Sequence, residues 1–184
     1  GQRGLAAEIG TERTNKERVI LLIDTEKALR DQIRALLRGG NAHMSFDEAV
    51  ADFPREHINA FPPQVPYTLW HLLEHLRITQ WDILTFILDP QHVSPSWPSG
   101  YWPASDATAD EAAWQKTIAS FHADLHKLLA LLDDPQTDLY SPLPHGDGQN
   151  ILREFLLVAD HNAYHIGEFA ILRQVMGTWR SSRH

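Results

Sequence analysis

The sequence predicts an all-α protein, a four-helix bundle with long inter-helix connections. Three observations carry this. Apolar residues recur at three- and four-residue spacings over four separate segments. Those segments are punctuated by Ser/Thr capping signals at their starts and by Gly or Pro at their ends. No segment alternates with period two, so almost no sheet is expected.

The first helix is expected to start at Thr14, where Thr14 and Glu17 have the spacing of a capping box. Val19, Leu22, Ile23, Ile33, Leu36 and Leu37 form its apolar stripe, and Gly39-Gly40 stops it. Ser45 and Glu48 mark a short helical turn that Pro54 ends. The stretch from Phe61 to Pro66 is expected to be extended, because its prolines disfavour helix before and within themselves. The second long helix runs from an N-cap at Thr68 to about Asp89, before Pro90. Its core stripe is Leu69, Leu72, Leu73, Leu76, Ile83 and Ile87.

A loop from Ser94 to Ser105 follows. Its Trp97, Tyr101 and Trp102 suggest that it packs on the bundle. Thr108 and Glu111 make a further capping box ahead of Trp114, Ile118, Phe121, Leu125, Leu128 and Leu132. Asp133-Asp134-Pro135 closes that helix, and the last one runs from about Gln149 to Met176, ended by Gly177. The domain reading is thus a loosely ordered segment over 1–13 and one bundle domain over 14–180.

Composition narrows the function. A chain of 184 residues with 43% hydrophobic and 22% charged residues suits one ordinary globular core. No apolar run is long enough to span a bilayer, so no membrane partner is expected. The N-terminus lacks a signal pattern, which points to a cytoplasmic protein. Net charge is −8 with no basic block, which argues against nucleic acid as a partner. There is no cysteine, which excludes thiolate ligands and a cysteine nucleophile.

Histidine is the unusual residue, with 11 copies and several pairs at i, i+4. On the last helix, Ile151, Phe155, Val158, Asn162, Phe169, Leu172 and Met176 form one stripe. His165 falls inside it and His161 at its edge, so both are expected to face the interior. One turn apart, their Cβ atoms lie about 5–6 Å from each other, and two imidazoles can converge on one ion. The alternative is a pair of core histidines hydrogen-bonded to polar neighbours. On the second helix His75 sits at the flank of the stripe and His71 further round, towards the outside. If one of them reaches an ion, geometry favours His75. His122 and His126 fall at or beyond the flank of the third helix and read as surface residues. His43, His57, His92 and His145 lie in loops without a pattern.

Two stretches, Tyr67-Thr68-Leu69-Trp70-His71-Leu72-Leu73-Glu74-His75 with its continuation to Leu84, and Asp160-His161-Asn162-Ala163-Tyr164-His165-Ile166-Gly167-Glu168, resemble the DinB/YfiT-like superfamily. The likeness extends over roughly residues 12–180, with both motifs in the family's order. It implies a four-helix bundle holding a divalent metal ion through His75, about seven positions after the capping Thr68, and through His161 and His165. His71 falls where relatives carry Gln or Glu, outside the ligand positions. Glu168 is a departure, because relatives often have Gln after the glycine. It can orient a ligand or add negative charge, or be a solvated helix flank.

Three neutral imidazoles leave an ion with open coordination positions, which is the arrangement of a catalytic site. Zinc or nickel suits nitrogen ligands. A closed structural site needs a fourth ligand, for which His71 is the nearest candidate. The resemblance implies a metal-dependent enzyme acting on a small molecule, by thiol-dependent S-transfer or by hydrolysis. Any low-molecular-weight thiol has to be an external cosubstrate, since the chain has no cysteine. The rival readings are a non-catalytic metal-binding or stress-response binding module, and an interaction scaffold. Glu74, Asp160, Glu168 and Tyr164 are the nearby acid/base groups in sequence. Trp70 and Trp81 are candidates for a pocket mouth. Exposed apolar helix faces make a homodimer plausible.

Overall fold

Each long helix forms where a side-chain cap meets an apolar stripe, and the computed structural model describes this for residues 14–180. The expectation for residues 1–13 lies outside the described residues. The helices are α1 (Asn15–Arg38), α2 (Phe46–Val50), α3 (Leu69–Leu88), α4 (Glu111–Asp133) and α5 (Ile151–Val175). Single 3-10 turns occur at Arg55–His57 and Ser99–Tyr101. Among the described residues no strand forms, and one isolated bridge joins Pro142 to Asn150. The all-α expectation is therefore met, with four long helices and one short one.

α1 and α3 each lie against both α4 and α5, and α2 lies against α5. The core between them collects the expected α3 stripe together with Trp114, Phe121, Leu125, Leu128 and Leu132 of α4 and Phe155, Val158, Ile166, Phe169 and Leu172 of α5. Ring stacking ties α2 to α4, with the Phe46 and Phe121 centroids 3.9 Å apart.

Several caps are as the sequence predicts. Thr14 and Glu17 form a reciprocal box, Ser45 and Glu48 form another, and Gly39 takes a positive φ of 69° at the end of α1. Others differ. α2 ends at Val50, before Pro54 is reached, because Ala51 already leaves the helical region. α4 is capped by Asp110, whose carboxylate accepts the Ala113 N–H at 2.8 Å, in place of the Thr108–Glu111 box. Asp110 carries an equivalent oxygen two residues nearer the helix, so the backbone turns in later. α5 starts at Ile151, with Asn150 accepting the Arg153 N–H. Within Phe61–Pro66 the chain is not extended throughout. Gln64 has φ 60° and the Val65 N–H reaches the Pro62 carbonyl, a tight turn with Pro63 and Gln64 at its centre.

The larger correction concerns α1. Ile33 and Leu37 are buried, but Val19, Leu22, Ile23 and Leu36 are exposed, Leu22 at 68%. No other described element covers the first half of α1. The second half is held partly by polar contacts. The buried Arg30 guanidinium donates to the carbonyls of Leu132, Asp134 and Thr137, so it caps the C-terminal end of α4.

His71 also departs from expectation. It is 2% exposed, where the helix wheel places it towards the outside. Its Nδ1 accepts the Thr68 N–H while Thr68 Oγ1 accepts the His71 N–H, a capping box with histidine in the usual Glu/Gln place. Its Nε2–H then donates to the Ala107 carbonyl at 2.8 Å. The connection to α4 folds over this turn, which a wheel built from one helix does not register. Replacing His71 with Ala removes both bonds and is expected to destabilise the fold by about 1–3 kcal/mol in chemical denaturation. Bound-metal stoichiometry should stay the same.

Candidate metal centre

α3 supplies His75 and α5 supplies His161 and His165, and the packing of α3 on α5 brings the three rings together. Their ligand nitrogens lie within 4.8 Å of one another. His75 Nε2 is 3.1 Å from His165 Nε2 and 3.1 Å from His161 Nε2. The burial order reverses the expectation. His75, expected at a flank, is buried at 4% exposure, whereas His161 and His165 are half-buried at the edge of the α5 stripe. Ile166 takes the interior position beside them.

The outer partners fix the protons. His75 Nδ1 faces the Tyr101 carbonyl at 2.9 Å, and a carbonyl only accepts, so Nδ1 carries the hydrogen. His165 Nδ1 donates to Glu168 Oε2 at 2.7 Å. Tyr67 Oη–H donates to the other oxygen of the same carboxylate. Burial raises the pKa of Glu168, but the hydrogen bonds from His165 and Tyr67 outweigh it and hold the group below its ordinary value, so it is ionised. Burial, with the Glu168 bond and charge adding to it, pushes the Tyr67 phenol up to about 12, so it stays a donor. In their neutral forms, His75 and His165 therefore turn two Nε2 lone pairs towards each other across 3.1 Å. The His161 Nδ1 is buried with no hydrogen-bond partner in the protein.

A proton between the rings is disfavoured. Burial lowers the His75 pKa, assisted by the charge of His165 and opposed by the Tyr101 bond and Glu168. Burial and the two neighbouring imidazoles lower His161 from 6.5 to about 3. The donor set fits a divalent ion instead. Two nitrogens about 2.0–2.1 Å from a tetrahedral zinc lie ~3.3 Å apart, and adjacent ligands of an octahedral ion at ~2.1 Å lie ~3.0 Å apart. The 3.1 Å spacing falls between those values.

These lowered values set a pH dependence for the metal-free fold. Below about 6.5 the unfolded chain takes up protons that folded His75 and His161 refuse. Stability is therefore expected to be level above that pH and to fall as pH drops from 6.5 towards 3. Melting curves of chelator-treated protein across this range check it, and a flat profile would contradict the burial of these rings.

Among the other expected participants, His71 has both nitrogens engaged elsewhere and is not a fourth ligand. Glu74 is turned to α4, accepting from Arg77 and from the Thr117 hydroxyl at 2.6 Å. Trp70 also bonds Thr117, and Trp81 lies against His92. Asp160 and Tyr164 are exposed. His122 reaches Asp47 at the surface, and His126 is exposed. Of the loop aromatics, Trp97 stands 79% exposed, contrary to expectation, while Trp102 lies flat on His75 with centroids 4.1 Å apart and planes 4° apart. Tyr67, which the histidine spacing gave no reason to choose, is the further residue at the site. A cavity of ≈190 Å³ adjoins it, lined by Pro66, Tyr67, His71, Trp102, Pro103 and Ser105.

Fold and site together define a helical-bundle protein carrying an open cluster of three imidazoles. A sequence model of the DinB superfamily matches residues 38–169, and the chain belongs to that superfamily. The match is shorter than the 12–180 span expected and begins at the last residue of α1. No curated protein and no solved structure matches the chain significantly.

Proposed function

We propose that the protein is a metal-dependent enzyme in which His75, His161 and His165 hold one divalent ion, zinc or nickel, for chemistry on a small molecule. The observation that carries this is the pair of opposed Nε2 lone pairs, His75 to His165, each fixed by an outer hydrogen bond. A shared cation removes that repulsion. With three protein ligands, the ion would supply Lewis acidity towards an anionic oxygen or sulfur of the substrate. Glu168 orients His165 and strengthens it as a donor, and Tyr67 holds Glu168 in place. Trp102 covers one face of His75 and excludes water from it. Tyr67 and Trp102, which touch the site, also line the adjoining cavity, which offers a way in for a small substrate.

The reaction proposed first is transfer of an external low-molecular-weight thiol to an electrophile, with hydrolysis as its competitor. The thiol has to come from outside, because the chain contains no cysteine. Thiol consumption with a panel of electrophiles, run with and without chelator, tests it. Activity that is absent, or that persists after metal removal, leaves the non-catalytic metal-binding module as the better reading. The absence of a membrane-spanning helix among the described residues and the acidic balance are consistent with a small-molecule role. The exposed run Val19–Ile23 on α1 supports a homodimer, which sedimentation of the protein and of a Leu22→Glu variant would test.

Glu168→Gln keeps an acceptor for His165 but removes the charge. Zinc affinity, measured by competition with a chromophoric chelator, is expected to fall about 10–100-fold. Unchanged affinity would take Glu168 out of the site.

A further inference from the structure

Asp82 stands two turns beyond His75 on α3 and is buried at 7% exposure. A buried carboxylate is costly unless its oxygens are paired. Asp82 Oδ1 accepts from His92 Nε2 at 2.7 Å, and Oδ2 accepts from the Tyr101 hydroxyl at 2.7 Å. His92 and Tyr101 lie at the two ends of one stretch of the α3–α4 connection. One carboxylate therefore pins both ends of that stretch to α3.

The far end of the stretch is what touches His75. The Tyr101 carbonyl receives the His75 Nδ1–H at 2.9 Å, and the next residue, Trp102, stacks on the imidazole at 4.1 Å. The first contact selects the tautomer with a free Nε2. The second fixes the plane of the ring. Both depend on where residues 101 and 102 are held, and the Tyr101 hydroxyl is anchored on the buried Asp82 carboxylate.

We infer that Asp82 is a positioning residue for His75, acting through Tyr101 and with His92 holding the other end of the same stretch. Its geometry stands by itself, and its purpose rests on the reading of His75 as a ligand. Free neutral imidazole favours the hydrogen on Nε2, so an unsupported His75 would drift to the tautomer that cannot ligate through that atom. Asp82 prevents the drift from two turns away, without touching the ring.

Long-range ¹H–¹⁵N NMR of the metal-free protein at pH 8 reads which His75 nitrogen carries the proton. Wild type is expected to show Nδ1–H. Asp82→Asn, which can no longer accept from both donors, is expected to show a mixture with Nε2–H. Tyr101→Phe, which removes one hydroxyl and guards against misfolding of the first variant, should do the same. Zinc affinity by chelator competition should fall about tenfold or more in each. The double variant should be no weaker than the weaker single one, because the two residues act in series. If both variants keep the Nδ1–H tautomer and wild-type affinity, the positioning role is overturned and the metal reading survives. If wild type binds no zinc yet the tautomer shifts with Asp82, the positioning role survives and the metal reading falls.

Discussion

Protein purified without a histidine tag is expected to bind one zinc or nickel ion per chain, and to lose that binding when His161 or His165 is changed to Ala. Each substitution deletes a nitrogen donor and leaves at most two imidazoles near the ion. The loss should exceed the ~10–100-fold typical of an outer hydrogen-bond partner. His75→Ala should be at least as severe, since its Nε2 is the atom within 3.1 Å of both others. In wild type an ion at 100 times its dissociation constant adds about 2.7 kcal/mol to stability. For a chain of this size that corresponds to a rise in Tm on the order of 5–10 °C. Elemental analysis gives the stoichiometry and calorimetry the affinity. Full stoichiometry in His75→Ala would refute the ligand assignment.

The largest stability effect is expected far from these histidines, at Arg173. Its side chain is fully buried near the end of α5. The guanidinium donates to the carbonyls of Ala49, Ala51 and Thr178 at 2.7–2.9 Å, and lies at 3.5 Å from that of Asp52. It also lies over the Trp179 ring at 3.7 Å. The carbonyls of Ala49 and Ala51 are the open end of α2, which has no room to bond them to its own backbone. Arg173→Met keeps much of the volume and strips four carbonyls of their donor. With about 1–3 kcal/mol for each group left unpaired, partly relieved by water, the expected loss is ~3–5 kcal/mol in chemical denaturation. Arg173→Lys should recover only part of it, because an ammonium cannot span the same fork. A loss below about 1 kcal/mol in the Met variant would show that this strap is dispensable.

The helices were legible because their causes are local. Thr14 with Glu17, Ser45 with Glu48 and Thr68 bond residues within one turn, and such bonds are visible as spacing. The choice between Thr108 and Asp110 was not, since both offer an oxygen and only the path of the incoming loop decides. The α1 stripe fails for a different reason. Periodicity identifies an apolar face, but whether a partner is long enough to cover Val19 and Leu22 is a property of other segments. The HxxxH spacing of α5 and the motif around His75 located the three rings. Their surroundings are contacts between residues far apart in sequence: Tyr67 with Glu168, and Tyr101 and Trp102 with His75. The same is true of Arg30 and Arg173, whose buried guanidiniums strap distant carbonyls that no spacing in the sequence announces.

The stacking of Trp102 on His75 gives the molecule an optical signal of its own. If His75 holds an ion as proposed, the indole in face contact with it would be within quenching reach of that ion's unpaired electrons. Zinc has a filled d shell and would leave the emission bright. Nickel would dim it. The contribution of Trp102 to the emission of the six tryptophans, read as the difference from a Trp102→Phe variant, would then distinguish the two metals that the spacing of the nitrogens does not.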